Sequence, residues 1–492
     1  MTGLMDYRSL LAVTFLLSPC LGRAAASAVQ LEVGSGQTYG TITDAIVAAS
    51  AGDVVNVHSG NYKESITIPA TKPSLTLKAS AGASPCLTGN IRVQADNITI
   101  DGFEVRGWTG AGPTASGVYM YSGDLRTGLT VKNCIIHAGT GGSKSSFPID
   151  VNGTRGAQSC GIFVRNHTKT TITNVEVYGC ITGLYTMSCK SSDGTFANGT
   201  VMSSLNIHDN KNDGIDIEGQ YITLQDSRVY DNYSGESSAR GYHSDAIQAI
   251  NSSGANGNQS TDGTGCVQHL RILRNTFANA SQLIFIEGPN AKRSMLVSSP
   301  YMVSDVLIAN NVCYIEPRGA NIHGRDPGAD PTVGCSLKYA DDCKFFNNTV
   351  VNAGIGIGTS KHTYVQNNIF IGCKIPLIVP NVRDLAAGAI DNNILDGYNN
   401  AAQWDKIWYK TLRRLQRETS STGNNQHSLE ANPLLISPST PRLKLESPAR
   451  RAGRNLSAYF NTDRDGVSRR EWDIGAYAYQ PHVGSDPAAT RR

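Results

Sequence analysis

Four carboxylates fall in two short segments. KNDGIDIEG, residues 211–219, places Asp213, Asp216 and Glu218 within six residues of an otherwise apolar, strand-like run. HSDAIQ, residues 243–248, adds Asp245 with His243 two positions before it. Like charges this close repel, and a strand surface gains no stability from them. Brought together, they could exchange protons with a substrate or offer the hard oxygen ligands that Ca²⁺ prefers. Either use requires the two segments to lie side by side.

The chain around them has 492 residues, too many for one compact core unless the architecture grows along one axis. Charged residues make up only 17% and aromatics 7%, while Gly reaches 50, which suits many short strands better than long surface helices. The formal net charge of +3 is too small to imply a nucleic-acid partner.

At the N-terminus, Arg8, the apolar LLAVTFLL and the small-residue run near Ala24 have the order of an export signal. That apolar run is too short to span a bilayer. Residues 1–26 therefore read as a signal peptide, and the mature protein as secreted or periplasmic, without stable membrane insertion and monomeric. Of the 11 Cys, ten remain once Cys20 leaves with the signal, an even number compatible with disulfides. Cys335 and Cys343 could close a local loop, and Cys160 and Cys180 could meet on adjacent turns; buried free thiols are the alternative.

One phrase recurs along the chain: an apolar pair, one or two Asn, then alternating apolar residues. It reads LTVKNCIIH, TITNVEVYG, RILRNTFAN, LIANNVCYI, FFNNTVVN, YVQNNIFIG and IDNNILDG. A second alternating phrase falls between copies: CGIFVRN, TGLYTMS, DGIDIEG, DAIQAI, QLIFIEG and AGIGIGTS. Asn348 and Asn368 are 20 residues apart, a spacing that signals a solenoid. Such strands cannot stand alone, and each turn must stack on its neighbours to bury its inner face. The Asn at the bend can then form a ladder, each amide bonding the equivalent amide one coil away.

YGTITDAIVAASAGDVVNVHSGNYKESITI resembles the opening segment of pectate-lyase-like β-helix proteins and pectin esterases. DRDGVSRREWDIGAYAY resembles the closing segment of exported bacterial β-helix proteins. With the repeats, the resemblance covers most of residues 30–480. It implies an all-β, right-handed parallel β-helix, the handedness coming from the resemblance alone. It does not fix the reaction, because the superfamily holds lyases, hydrolases, epimerases and non-catalytic proteins.

Open β-helix ends must be covered. Ile42, Ala45, Ile46 and Ala49 have helical spacing and can plug the first coil. Trp404, Ile407, Trp408, Leu412 and Leu415 are read as one face of a second helix over 401–418, with Lys406, Lys410, Arg413, Arg414 and Arg417 on the rest. This basic face could hold a polyanion or simply be solvated. The expected organisation is a β-helix over 27–400 and a C-terminal cap, helical or irregular, over 401–492.

Stacking the second phrase on its glycines aligns Ile162, Leu184, Ile215, Ile247 and Ile284 in an inward column. Phe163, Tyr185, Asp216, Gln248 and Phe285 form an outward one, and Arg165, Met187, Glu218, Ile250 and Glu287 another. Asp213 and Asp245 then share a position on neighbouring coils, about 4.8 Å apart. Asp and Gly also suit the bend before a strand, so both residues have a structural alternative. Insertions before and after the Asp245 strand, and near 289–303 and 317–334, lie on one side and would build a groove. They carry Arg240, His243, Arg293, His323 and Arg325.

Acids on the floor with bases on the rim suit an anionic sugar chain. Tyr185, Gln248, Phe285, Glu287, Arg293, His323 and Arg325 are the expected substrate contacts. In a polysaccharide lyase or uronan epimerase, a base removes the proton beside a uronate carboxylate whose charge is neutralised. His243, Lys211 or Arg240 would be that base, with Asp216 and Asp245 in the catalytic group. Asp213, Asp216, Glu218 and Asp245 would bind Ca²⁺, as acidic sites do in several β-helix lyases. In a glycoside hydrolase the aspartates would be acid and base. DGID and HSDAIQ resemble Asp-bearing segments of polygalacturonases, and GIGIGTS resembles another, with Ile355 where that family has His. A non-catalytic polysaccharide-binding solenoid is the third reading. The lyase is the leading expectation.

Overall fold

A computed structural model describes residues 27–108, 115–120, 123–138, 160–232, 244–250, 267–288, 303–316, 333–383, 385–397 and 399–481. The expected signal segment lies outside this set, as do Arg240, His243, Arg293, His323 and Arg325.

Each coil contributes one short strand to each of three parallel sheets, visited in a fixed order. We call them sheets I, II and III. In one coil they are Cys160–Arg165, Thr170–Thr173 and Glu176–Tyr178; in the next, Thr182–Cys189, Thr200–Ser203 and Asn206–His208. Each strand pairs in parallel with its equivalent one coil away, so Ile162 pairs Leu184, Ile172 pairs Met202 and Val177 pairs Ile207. These residues are fully buried and stack as aliphatic columns inside the solenoid. The chain is a right-handed parallel β-helix.

The asparagine ladder is present. Asn275, Asn311, Asn348, Asn368 and Asn393 stand on successive coils. Each of the first four donates its Nδ2 to the Oδ1 of the next at 3.0–3.1 Å, and its backbone N–H to the same oxygen. The bend would otherwise leave buried backbone groups unpaired, and the amides satisfy them.

Both ends are plugged. The helix Ile42–Ala48 buries Ile42, Ala45 and Ile46, with Thr41 accepting from the Asp44 backbone N–H. Glu64 adds a second cap, accepting from the N–H groups of Ile42 and Thr43 at 2.8 and 3.0 Å.

The second expected helix is largely corrected. Ala402–Trp404 continues sheet I and folds back on Ile407–Tyr409 as an antiparallel hairpin, and only Leu412–Glu418 is helical. Asp405 (φ 47°) and Lys406 (φ 66°) are both left-handed, which makes the tight turn of a two-residue hairpin. Neither is glycine, so the turn left no clear mark in the sequence. Trp404, Leu412 and Leu415 are buried as expected, but Ile407 and Trp408 are exposed.

From there the chain returns along the solenoid. Leu443, Ala449 and Ile474 pack on Ile369 and Ile394, and Leu456 and Trp472 on Leu307 and Phe346. The left-handed bend asparagines Asn310, Asn347, Asn367 and Asn392 donate to carbonyls of Thr462, Asp473, Arg454 and Ala452. The closing motif is thus a strap across several coils.

The nine cysteines among the described residues are free and buried. Neither expected disulfide is formed. Cys335 pairs within sheet I and Cys343 within sheet II, on different walls of the core. Burial raises the Cys160 and Cys180 thiols and keeps them protonated.

Candidate active site on sheet I

The two acidic segments lie side by side. Ile215 pairs Ile247 and Asp216 pairs Gln248, which brings Asp213 level with Asp245. The aligned outward column is continuous in the register: Tyr119, Phe163, Tyr185, Asp216, Gln248, Phe285 and Ser336.

Two glycines in KNDGIDIEG explain its local form. A Cβ on Gly214 would come within 2.3 Å of Val229 Cγ1 and 2.6 Å of the Ala246 carbonyl oxygen. Only a bare backbone fits where the chain turns from sheet III into the Asp216 strand. Gly219 has φ 144°, and a Cβ there would come within 2.4 Å of the Cys189 carbonyl oxygen. It turns the same strand, Ile215–Gln225, from sheet I into sheet II directly after Glu218. That corner shifts the register between Thr186 and Cys189, so the expected Met187–Glu218–Ile250 alignment is not a regular pairing. Ile250 does pair Glu287.

All four carboxylates are buried: Asp213 is 1% exposed, Asp216 6%, Glu218 4% and Asp245 0%. Each is held differently. Asp213 Oδ1 accepts the Asp245 backbone N–H at 2.7 Å, and its Oδ2 accepts from Asn212 Nδ2. Asp213 therefore ties two coils together, the structural role its position allowed. Asp216 Oδ1 accepts from Gln248 Nε2 at 3.3 Å, and Glu218 Oε1 accepts from the Tyr185 hydroxyl at 2.6 Å.

Crowding sets the protonation. Burial, then repulsion by Asp216 and Asp245, pushes the Asp213 carboxyl well above the usual range. Burial, then repulsion by Glu218 and Asp245, pushes Asp216 up to about 7. Burial and the Glu218 charge hold the Tyr185 phenol protonated. Asp213 thus holds its proton more tightly than an ordinary aspartate, and Asp216 is poised to take or give a proton near neutral pH.

The aromatic flanks differ from the expectation. Tyr185 is 9% exposed and packs with Cys160 and Phe163, so it supports Glu218 and offers no open ring face. Phe285 is 6% exposed, and Lys338 Nζ stands 5.0 Å from its ring centroid. Gln248 and Glu287 are half-buried on the outer face. Lys211 stands on the turn two residues before Asp213; burial lowers its pKa.

Sequence reasoning missed three contributors. Cys160 starts the sheet I strand two coils before that of Asp216, and the Asp216 charge reaches its thiol. Asn212 donates to Asp213. Lys338 pairs Glu287 in the strand register, and its stem lies against Gly358, where a Cβ would come within 2.9 Å of Lys338 Cγ. Asn212 was legible beside Asp213, whereas Lys338 is a long insertion away from its neighbours.

The carboxylates have the chemistry of Ca²⁺ ligands, but among the described residues no three His, Cys, Asp or Glu side chains are arranged to hold one metal ion.

No protein-family model matches the sequence, and no curated protein does. Solved structures do. Pectate lyase Pel9A is 12% identical over 92% of this chain and 98% of its own, with a TM-score of 0.46. The pectin methylesterase from Aspergillus niger is 16% identical over 60% and 83%, with a TM-score of 0.30. The family 28 exopolygalacturonase of Yersinia enterocolitica is 12% identical over 75% and 68%, with a TM-score of 0.36.

Proposed function

We propose that this is a carbohydrate-active β-helix protein that acts on a uronate-containing polysaccharide by β-elimination on sheet I. The observation that carries the reading is Asp216. It is an outward-facing carboxylate held at about 7, where a general base is most effective at neutral pH.

In this reading the ionised Asp216 takes the proton from the carbon that bears the uronate carboxylate. The C–H electrons form the new double bond, the bond to the glycosidic oxygen breaks, and that oxygen takes up a proton. Gln248 orients Asp216, and Tyr185 fixes Glu218 behind it. Asp213, which holds its proton more tightly than an ordinary aspartate, hydrogen-bonds Asp216 and tempers the rise in its pKa. Lys211, on the adjoining turn, supplies positive charge for the uronate carboxylate. His243 and Arg240, the other expected bases, precede Asp245 in the sequence and lie outside the described residues.

A second reading has one observation in its favour. Neighbouring carboxyls pushed apart in protonation are what glycoside hydrolysis needs, with Asp216 as acid and an ionised neighbour as base. Product chemistry separates the two. Elimination leaves an unsaturated uronate that absorbs in the ultraviolet; hydrolysis leaves new reducing ends without it. We expect ultraviolet absorbance from polygalacturonate or alginate with either calcium or chelator present. Reducing ends alone would replace elimination with hydrolysis.

A further inference from the structure

We propose that the C-terminal end of the solenoid carries a second, non-catalytic site for an anionic polysaccharide, built on Trp408 and the cations around it. Of the four tryptophans, Trp108, Trp404 and Trp472 are at most 9% exposed, whereas Trp408 is 47% exposed. Ile407 beside it is 52% exposed. The hairpin causes this. Trp404 faces the core, while Trp408 pairs Gln403 on the outer face.

The surroundings are basic. Lys406, Lys410, Arg413, Arg414 and Arg417 are all exposed, and Asp405 and Glu418 are the only carboxylates between residues 404 and 418. Lys406 and Lys410, two residues either side of Trp408, fall on its face by strand alternation, and Lys410 Nζ is held by Asn399 Oδ1 at 3.3 Å; Arg414 lies 5.8 Å from the ring centroid of Tyr409, the next residue. An open indole gives a flat apolar face for a sugar ring, and cations beside it pair with sugar carboxylates.

The patch is also in line with the acidic cluster. The outward column of Asp216, Gln248, Phe285 and Ser336 continues through Gly356, Ile378 and Gln403 to Trp408. Seven strand steps separate Asp216 from Trp408, about 34 Å at the usual spacing. A long chain held at Trp408 would lie over the same sheet.

The rival occupant is a second copy. Ile407–Tyr409 ends sheet I, and an edge strand invites pairing. Symmetric antiparallel edge pairing centred on Trp408 would set Lys406 of each copy against Lys410 of the other, and like charges directly opposite are destabilising. Charge complementarity favours the polyanion. This site does not rest on the elimination reading, and binding can be measured in Asp216→Asn.

The test is electrophoresis of the full chain through native gels cast with polygalacturonate or with neutral dextran, beside light scattering for mass. Wild type and Asp216→Asn should be retarded by polygalacturonate, released by salt, and unaffected by dextran. Trp408→Ala and the Lys406→Glu/Lys410→Glu pair should each lose roughly tenfold in affinity with unchanged thermal midpoints, because these side chains are exposed. Wild-type retardation in both variants, or none in the wild type, would overturn the proposal. So would a dimer that Trp408→Ala dissociates, or binding to anionic phospholipid vesicles without binding to polygalacturonate.

Discussion

The Tyr185 hydroxyl donates to Glu218 Oε1 at 2.6 Å, across two neighbouring coils of sheet I. Both side chains are buried, so this bond fixes the carboxylate nearest the corner at Gly219. Tyr185→Phe keeps the ring packing against Phe163 and removes only the donor. We expect a loss of about 1–3 kcal/mol in urea unfolding, the range for a buried bond to a charged group, and a lower turnover number. Wild-type stability and rate in this variant would show that Glu218 is held by other contacts.

Asp216 makes stability depend on pH in a defined direction. Its folded pKa of about 7 lies above that of an unfolded aspartate. The folded state therefore binds the proton more tightly, and this contribution is complete below the unfolded pKa. It is lost as pH rises through about 7. Thermal midpoints should fall between pH 5 and pH 8, and Asp216→Asn should flatten that slope. An equal slope in the variant would assign the pH dependence to other groups.

Asp213 is expected to split two effects. Asp213→Ala leaves the Asp245 backbone N–H without its acceptor and should cost about 1–3 kcal/mol. Asp213→Asn retains an acceptor oxygen and should fold normally. The Asp213 side chain hydrogen-bonds Asp216 and lowers its pKa, so the weaker amide donor of Asp213→Asn should raise the apparent acid-limb pKa of turnover relative to wild type. Identical pH profiles would deny Asp213 any part in setting Asp216.

Gly214→Ala should damage fold and site together. Its Cβ would meet Val229 and the Ala246 carbonyl, neither of which is a flexible side-chain end. Overpacking of this kind costs about 1–3 kcal/mol or more, and urea midpoints should show it. A neutral substitution would mean that the turn into the Asp216 strand yields easily.

Much of this was legible because a solenoid writes its register into the sequence. The spacing of Asn348 and Asn368 set the coil length, and the glycine–aliphatic pairs at Gly161, Gly183 and Gly214 set the neighbours of Asp216. The columns followed from the repeat period and its glycines, the amide ladder from the bend asparagines, and the helix at Ile42 from apolar spacing. The C-terminal hairpin did not, because Trp404, Ile407 and Trp408 fit helical and hairpin spacing alike, and a left-handed Asp405–Lys406 turn has no glycine to announce it. The commitment of Tyr185 to Glu218 was hidden too. An outward aromatic can face solvent or turn along the sheet, and only the corner at Gly219 shows which.

The central claim is that Asp216 works as the base of an elimination. The most direct measurement is ultraviolet absorbance against pH for wild type and Asp216→Asn, with polygalacturonate and alginate as substrates. The account predicts unsaturated uronate from the wild type, with a rate that rises through about pH 7 and is lost in a normally folded Asp216→Asn. Undiminished absorbance in that variant would contradict it.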